Sequence, residues 1–218
     1  MASGPVLTEG KKCEFRWRVW NPELRNTEGK MELVINHEEY RSARNADRFS
    51  AANKAEYARY VLEGYTRSVE AAAAVFRNRS KARNLLAVQE MEDVVCFTRG
   101  IRYASDPEMR GVDDWANFPV ETLYDQAGDC EDHAILAAAI LYSLGHDVAL
   151  FWLDLGDSAH LALGYRAQGF VGGGFSEVAE GRVYYYVETV PTENGDQAGD
   201  IARQFLKDLK SAEVILVV

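Results

Sequence analysis

The chain is short of the features that hold small secreted domains together. It has only three cysteines in 218 residues, Cys13, Cys96 and Cys130, widely spaced and odd in number. They form no CxxC pair, so neither a structural zinc site nor a disulfide framework is written in them, and at least one thiol is left free. Long apolar runs are also missing. The longest, from Ala134 to Leu144, is too short to span a bilayer. The start, Met1-Ala2-Ser3-Gly4-Pro5, lacks the charged and then apolar regions of a signal peptide. For a full-length chain this predicts a cytoplasmic location; for a domain of a longer secreted or membrane protein the location is open. Basic residues are outnumbered, 24 Lys and Arg against 34 Asp and Glu, for a net charge of −10. That excludes nucleic acid as the main partner and disfavours anionic membrane surfaces. There are no internal repeats and no low-complexity segments.

What remains is ordinary globular material, 47% hydrophobic and 27% charged, enough to bury a core without staples. Residues 13–36 predict a hairpin. Cys13 to Trp20 alternates, Asn21-Pro22 and Asn26 to Gly29 supply turn chemistry, and Lys30 to Ile35 forms the second run. From about Ala51 to Arg99 the period becomes helical, with a second helix over about Lys81 to Arg99, capped by Ser80 and stopped by Gly100. Residues 104–119 read as loop. After Gly145 the pattern is strand-like: Val148 to Leu153, His160 to Tyr165, a glycine-rich turn at Gly169 to Gly174, and Val183 to Val190. A short helix at Asp200 to Leu209 and a last strand at Glu213 to Val218 follow. The order of elements predicts an α+β fold with a mostly antiparallel sheet. Residues 1–100, hairpin and helices, are expected to pack on a core formed by 101–218, as one compact domain overall.

Gly128-Asp129-Cys130-Glu131-Asp132, directly before an apolar helical run, sets a cysteine in the first turn of a helix, where free N–H groups and the helix dipole favour a thiolate. Asp129 suits the N-cap, and Ala134, Ile135, Ala138, Ala139 and Leu141 make the buried stripe. The acidic flanks oppose a thiolate, so a histidine has to supply the activation. Buried packing is the alternative for Cys130, and it is the favoured reading for Cys96 and Cys13. Among the histidines, His37 reads as exposed loop, His146 as surface turn, and His133 as too close along the same helix to admit a substrate carbonyl. His160, near the start of an alternating strand, is the candidate base. Glu188, inside the aromatic run Tyr184 to Val190, is either a solvent-facing carboxylate or the partner of an imidazole; with Cys130 and His160 present, the second reading is favoured. Trp115, Phe118, Trp152 and Tyr184 to Tyr186 are either groove or core, core being the commoner fate.

Phe118-Pro119-Val120-Glu121-Thr122-Leu123, Gly128 to Asp132, Ala159 to Gly164 and Tyr186 to Val190 together resemble the transglutaminase-like cysteine peptidase superfamily, over about residues 85–192. The resemblance implies a papain-like core with a cysteine at the start of a central helix facing an antiparallel sheet. It implies cleavage of peptide or amide bonds of a protein or peptide substrate through a thioester, with Cys130 as nucleophile, His160 as general base and acid, and Glu188 as the orienting carboxylate. The oxyanion donors would be the backbone N–H of Cys130 and, as a candidate, Gln126. Protein crosslinking, with a lysine amine replacing water, and a non-catalytic peptide-binding module on the same fold are the alternatives. One branch of the superfamily binds calcium beside the nucleophile. Asp129, Glu131 and Asp132 match part of that arrangement, with Asp125 as a substitute for a missing ligand. Capping explains Asp129 and Asp132 equally well, so no metal or other cofactor is the first expectation.

Overall fold

The structure is a computed structural model and describes residues 9–19, 27–49, 53–166, 175–191, 205 and 207–217. The expected hairpin is present, with strand β1 at Gly10–Val19 and β2 at Thr27–Asn36, antiparallel with Gly10 opposite Asn36 and Trp17 opposite Gly29. Alternation has the predicted effect. Cys13, Phe15, Trp17, Met31, Leu33 and Ile35 are buried on one face. Lys12, Glu14, Lys30 and Glu32 pair across the other. Gly29 is needed because the Trp17 indole lies over it; a Cβ there would come within 2.0 Å of the ring. The expected turn at Asn21-Pro22 lies outside the described residues.

Asn36 ends β2 and caps helix α1, His37–Asn45, accepting from the N–H of Glu38 at 2.6 Å and Glu39 at 3.2 Å. A short 3-10 turn at Lys54–Glu56 leads into α2, Tyr57–Glu63. The next two helices divide differently from the sequence expectation. Helix α3 runs Arg67–Arg83 and α4 runs Ala87–Arg99, so Ser80 lies inside α3 and caps nothing. The break comes at Asn84, whose left-handed backbone (φ 52°) closes α3. Gln89 then accepts the Leu86 N–H at 2.9 Å to open α4. Gly100 ends α4 as expected.

Strand β3, Arg102–Tyr103, comes just before the stretch read as loop, which holds helix α5, Asp106–Arg110; helix α6, Pro119–Asp125, and strand β4, Ala127–Gly128, follow. Pro107 and Pro119 both occupy first-turn positions, where the missing N–H costs nothing. β3 pairs in parallel with β4, which brings Tyr103 beside Gly128 at the entrance of helix α7, Cys130–Ser143.

The sheet is antiparallel throughout. It contains β5 (Asp147–Asp154), β6 (Ala159–Arg166), β7 (Ser176–Ala179), β8 (Arg182–Val187) and β9 (Ser211–Leu216), in the order β7-β8-β6-β5-β9. The fold class is therefore α+β, with Cys130 opening a central helix packed on an antiparallel sheet. The predicted turn at Gly169 to Gly174 and most of the helix predicted at Asp200 to Leu209 lie outside the described residues. α7 is buried on every side rather than along a stripe, with all residues from Asp132 to Leu141 enclosed. β5 and β6 cover one side of it, and α2, α3, α4 and α6 cover others. The main core runs from Cys13 in the hairpin to Val217, so the segments 1–100 and 101–218 share it. A second cluster, built on Phe151, Tyr184 and Tyr186, covers the opposite face of the sheet. Among the described residues no helix is long and apolar enough to cross a membrane.

Candidate active site

Asp129 occupies the N-cap of α7 with an extended backbone, and Cys130 is the first helical residue. Gly128 is required by its neighbour, since a Cβ would meet the Asp132 side chain at 2.5 Å. The Cys130 thiol donates to Glu131 Oε2 at 3.1 Å. Burial pushes the thiol pKa well up, and the nearby Glu131 and Asp129 push it further; the backbone N–H of Leu161 acts the other way. That N–H belongs to the residue directly after His160, so the start of β6 lies against the sulfur.

His160 is the second residue of β6 and 5% exposed. Its Nε2 meets Glu188 Oε1 at 3.2 Å and Oε2 at 3.0 Å. Glu188 lies one residue beyond the end of β8. Its Oε1 accepts the N–H groups of Thr189 at 2.9 Å and Val190 at 3.2 Å, and its Oε2 accepts the Tyr186 hydroxyl at 2.5 Å. Burial alone would raise this carboxyl. The His160 imidazole, the Tyr186 hydroxyl and the Val190 N–H outweigh burial and hold it at about 2. Arg99 fixes the backbone here by donating to the Glu188 carbonyl at 2.9 Å. Phe205 stacks on the imidazole, with centroids 4.3 Å apart. Cys130 and His160 line one cleft of about 480 Å³, together with Tyr103, Ser158, Val190 and Phe205.

The other sequence candidates are placed elsewhere. Gln126 does not line the cleft. It sits in a left-handed conformation at the end of α6, and its amide donates to the Glu14 carbonyl of β1 at 3.0 Å, so that donor is committed to holding the hairpin. Asp125 is ion-paired with Arg110 at 2.6 Å and accepts from Tyr40. His133 is fully buried against the Thr189 carbonyl, and burial lowers its pKa to about 4, which keeps it neutral. His37 and His146 are half-buried rather than exposed: His37 meets the Tyr124 hydroxyl, and His146 bridges Glu90 and Tyr165. Cys13 is buried in the core. Tyr184 and Tyr186 are core residues, while Trp115 packs under the Arg48 guanidinium at 4.2 Å.

The acidic flank contains more than the sequence reading found. Asp106 and Asp114 arrive from the α5 region and join the residues at the head of α7. The carboxylates of Asp106, Asp114 and Glu131 lie within 4.8 Å of one another, as do those of Asp106, Asp129 and Asp132. Burial, then mutual repulsion, raises Asp106 to about 6 and Asp129 to about 8. Asp132 is more than a cap: its oxygens accept from the Asn117 backbone at 2.7 Å and side chain at 2.5 Å, clamping the segment before α6. Asp129 shares a side-chain hydrogen bond with Glu131, and its buried Oδ1 meets no other donor. The short motif Ser105-Asp106-Pro107 is a helix-start signal that marks the α5 turn in the sequence; its approach to Glu131 is a tertiary event with no local signature.

No protein-family model matches the chain, and no curated protein matches it. Among solved structures it is similar to Legionella pneumophila LapG in an EGTA-treated form, at 19% identity over 72% of this chain and 78% of that one, with a TM-score of 0.43. It is also similar to the calcium-bound form, at 18% identity over 74% of this chain and 87% of that one, again with a TM-score of 0.43. Likeness at this level carries neither a family nor an activity over to this chain.

Proposed function

We propose that the chain is a cysteine-dependent acyl-transfer enzyme of the transglutaminase-like, papain-like type that hydrolyses a peptide or amide bond through a thioester. The observation that carries the reading is that His160, hydrogen-bonded to the buried Glu188, lines the same cleft as a cysteine at a helix start. With Nε2 committed to Glu188, Nδ1 is the ring nitrogen left to serve the thiol. In the proposed cycle His160 takes the Cys130 proton and the sulfur attacks the substrate carbonyl. The imidazolium, steadied by Glu188, then protonates the departing amine. Water, deprotonated by His160, resolves the thioester. The Cys130 N–H, which has no intrahelical acceptor at this position, faces the developing oxyanion. Water is the favoured acceptor over a lysine amine because an acyl-enzyme in a solvent-open cleft hydrolyses unless water is excluded.

The acidic cluster fits a hard cation by its all-oxygen donor set and by the buried Asp129 carboxyl, whose Oδ1 meets no donor outside the cluster. Asp106, Asp114, Asp129 and Glu131 would hold calcium, whose charge would offset the repulsion that those carboxylates impose on a thiolate at Cys130.

The test is labelling with a peptide-based thiol-reactive probe, read at each cysteine by mass spectrometry. Cys130 should label fastest, labelling should vanish in Cys130→Ala, and His160→Ala should slow it by roughly 100-fold or more. Cys130 reacting no faster than Cys96, or at an unchanged rate in His160→Ala, would leave a non-catalytic binding module as the better reading.

A further inference from the structure

The proposed cycle has one donor for the developing oxyanion, the Cys130 N–H, because the Gln126 amide is committed to the hairpin. Tyr103 sits where a second donor is needed. Its backbone pairs with Gly128 of β4, two residues before Cys130, and the adjoining Ala104 N–H donates to the Gly128 carbonyl at 2.9 Å. Its ring meets the His133 ring edge-on at 6.2 Å, three residues after Cys130. The side chain is thereby held against the first turn of α7 from both sides of the cysteine. It lines the same cleft as Cys130 and His160. Although the side chain is half-exposed, its hydroxyl has no hydrogen-bond partner among the described residues. Burial raises the phenol pKa, and the nearby Cys130, Asp129 and Glu131 raise it further, so the hydroxyl keeps its proton for donation.

The direction of attack selects the role. His160 stands on the sheet side of the cleft and has to face the leaving amine in order to protonate it. The substrate carbonyl oxygen is then turned to the helix side, toward the free N–H groups at the start of α7. Tyr103, anchored on that first turn, is on the same side. We propose that the Tyr103 hydroxyl is the second oxyanion donor, hydrogen-bonding the oxygen of the tetrahedral intermediate formed at Cys130. As the sulfur–carbon bond forms, the carbonyl π pair moves onto oxygen, the thiol proton rests on His160, and Tyr103 keeps its own proton. The acidic flank adds to the need for such a donor, since Asp129 and Glu131 repel an oxyanion as they repel a thiolate. The inference rests on the acyl-transfer reading of Cys130 and His160.

The test compares an electrophile that places charge on oxygen with one that does not. The peptide aldehyde acetyl-Leu-Leu-norleucinal adds to a thiolate to give a tetrahedral carbon bearing oxygen, and its apolar side chains suit a cleft walled by Leu155, Val190, Pro191 and Phe205. Iodoacetamide transfers its carbon to sulfur by displacing iodide, and no charge develops on its oxygen. The readout is alkylation of Cys130 by iodoacetamide, with and without the aldehyde, followed by mass spectrometry. Tyr103→Phe keeps the ring and removes only the hydroxyl. It should raise the aldehyde concentration for half-protection roughly tenfold or more, and leave the alkylation rate without aldehyde within about twofold of wild type. Cys13, 1% exposed, is the internal control, because its alkylation under native conditions identifies an unfolded sample. Tyr103→Leu, which also lacks the donor, carries the same expectation if the first variant does not fold. An unchanged half-protecting concentration overturns Tyr103 as a donor and leaves the hydrolase reading standing. So does an equal loss in the alkylation rate without aldehyde, which would assign Tyr103 to the thiol instead. A wild-type Cys130 that the aldehyde protects at no concentration overturns the hydrolase reading and this donor with it.

Discussion

Glu188 is the most heavily partnered side chain near the cleft: two backbone N–H groups, one hydroxyl and one imidazole converge on its two oxygens. Its pKa falls from the ordinary 4.5 to about 2 on folding. A carboxyl depressed in this way stabilises the fold by an amount fully present above the unfolded value and lost as pH falls through the folded one. Glu188→Gln cannot ionise. The stability difference between wild type and variant, from urea denaturation at a series of pH values, should therefore narrow as pH falls from about 4.5 toward 2. A difference that stayed constant over that window would mean that His160 and Tyr186 do not hold the carboxylate in its charged form. The same low pKa keeps Glu188 ionised throughout the range in which a histidine base works, as an orienting role requires. Taken alone, this residue reads evenly as solvent-facing or partnered, and only Cys130 and His160 tip the sequence toward a partner. A glutamate in an aromatic strand has no local signature for the imidazole 28 positions earlier.

At the level of elements, the hairpin is tied to the helices through one carboxylate. Asp93 of α4, 2% exposed, accepts from the Trp17 indole of β1 at 2.7 Å and from Arg79 of α3 at 2.8 and 3.1 Å. Asp93→Ala would strand a guanidinium and an indole N–H in the interior. Breaking such a pair from one side costs about 3–5 kcal/mol. The urea midpoint should drop accordingly with the slope unchanged, since the exposed area is the same; a loss under about 1 kcal/mol would show that the clamp is dispensable. This tie explains which elements were legible in the sequence. The hairpin, the strands after Gly145 and the start of α7 each carry a local signal: alternation, a β-rich run, or an N-cap before an apolar stretch. The division between α3 and α4 does not, because helix-forming residues run through Ser80 to Arg83 and only Asn84, with its left-handed backbone, breaks them. α5 and α6 were hidden for a related reason. Each is short, and its proline start reads as loop chemistry until packing against α7 and the pairing of β3 with β4 give it a helical context.

At the scale of the molecule the chain carries a net charge of −10, and it gathers five carboxylates in one place beside the candidate nucleophile. Calcium can therefore stabilise the protein in two ways, by diffuse screening of the whole surface and by occupying the cluster. The two are separable. Screening depends on ionic strength and is reproduced by sodium chloride, whereas site occupancy follows the affinity of the folded state alone. At a hundredfold excess over its dissociation constant a bound ion adds about 2.7 kcal/mol. At roughly 2–4 °C per kcal/mol for a domain of this length, Tm should rise by about 5–10 °C. Calcium should give that increment at constant ionic strength, EGTA should remove it, and sodium chloride should not restore it. Asp129→Asn keeps a side chain able to cap α7 but removes the carboxylate that a bound cation would draw out, so it should abolish the calcium increment while leaving the response to sodium chloride intact. An Asp129→Asn protein that kept the full calcium shift would place the ion elsewhere. The offset that the carboxylates require beside Cys130 would then have to come from His160 alone.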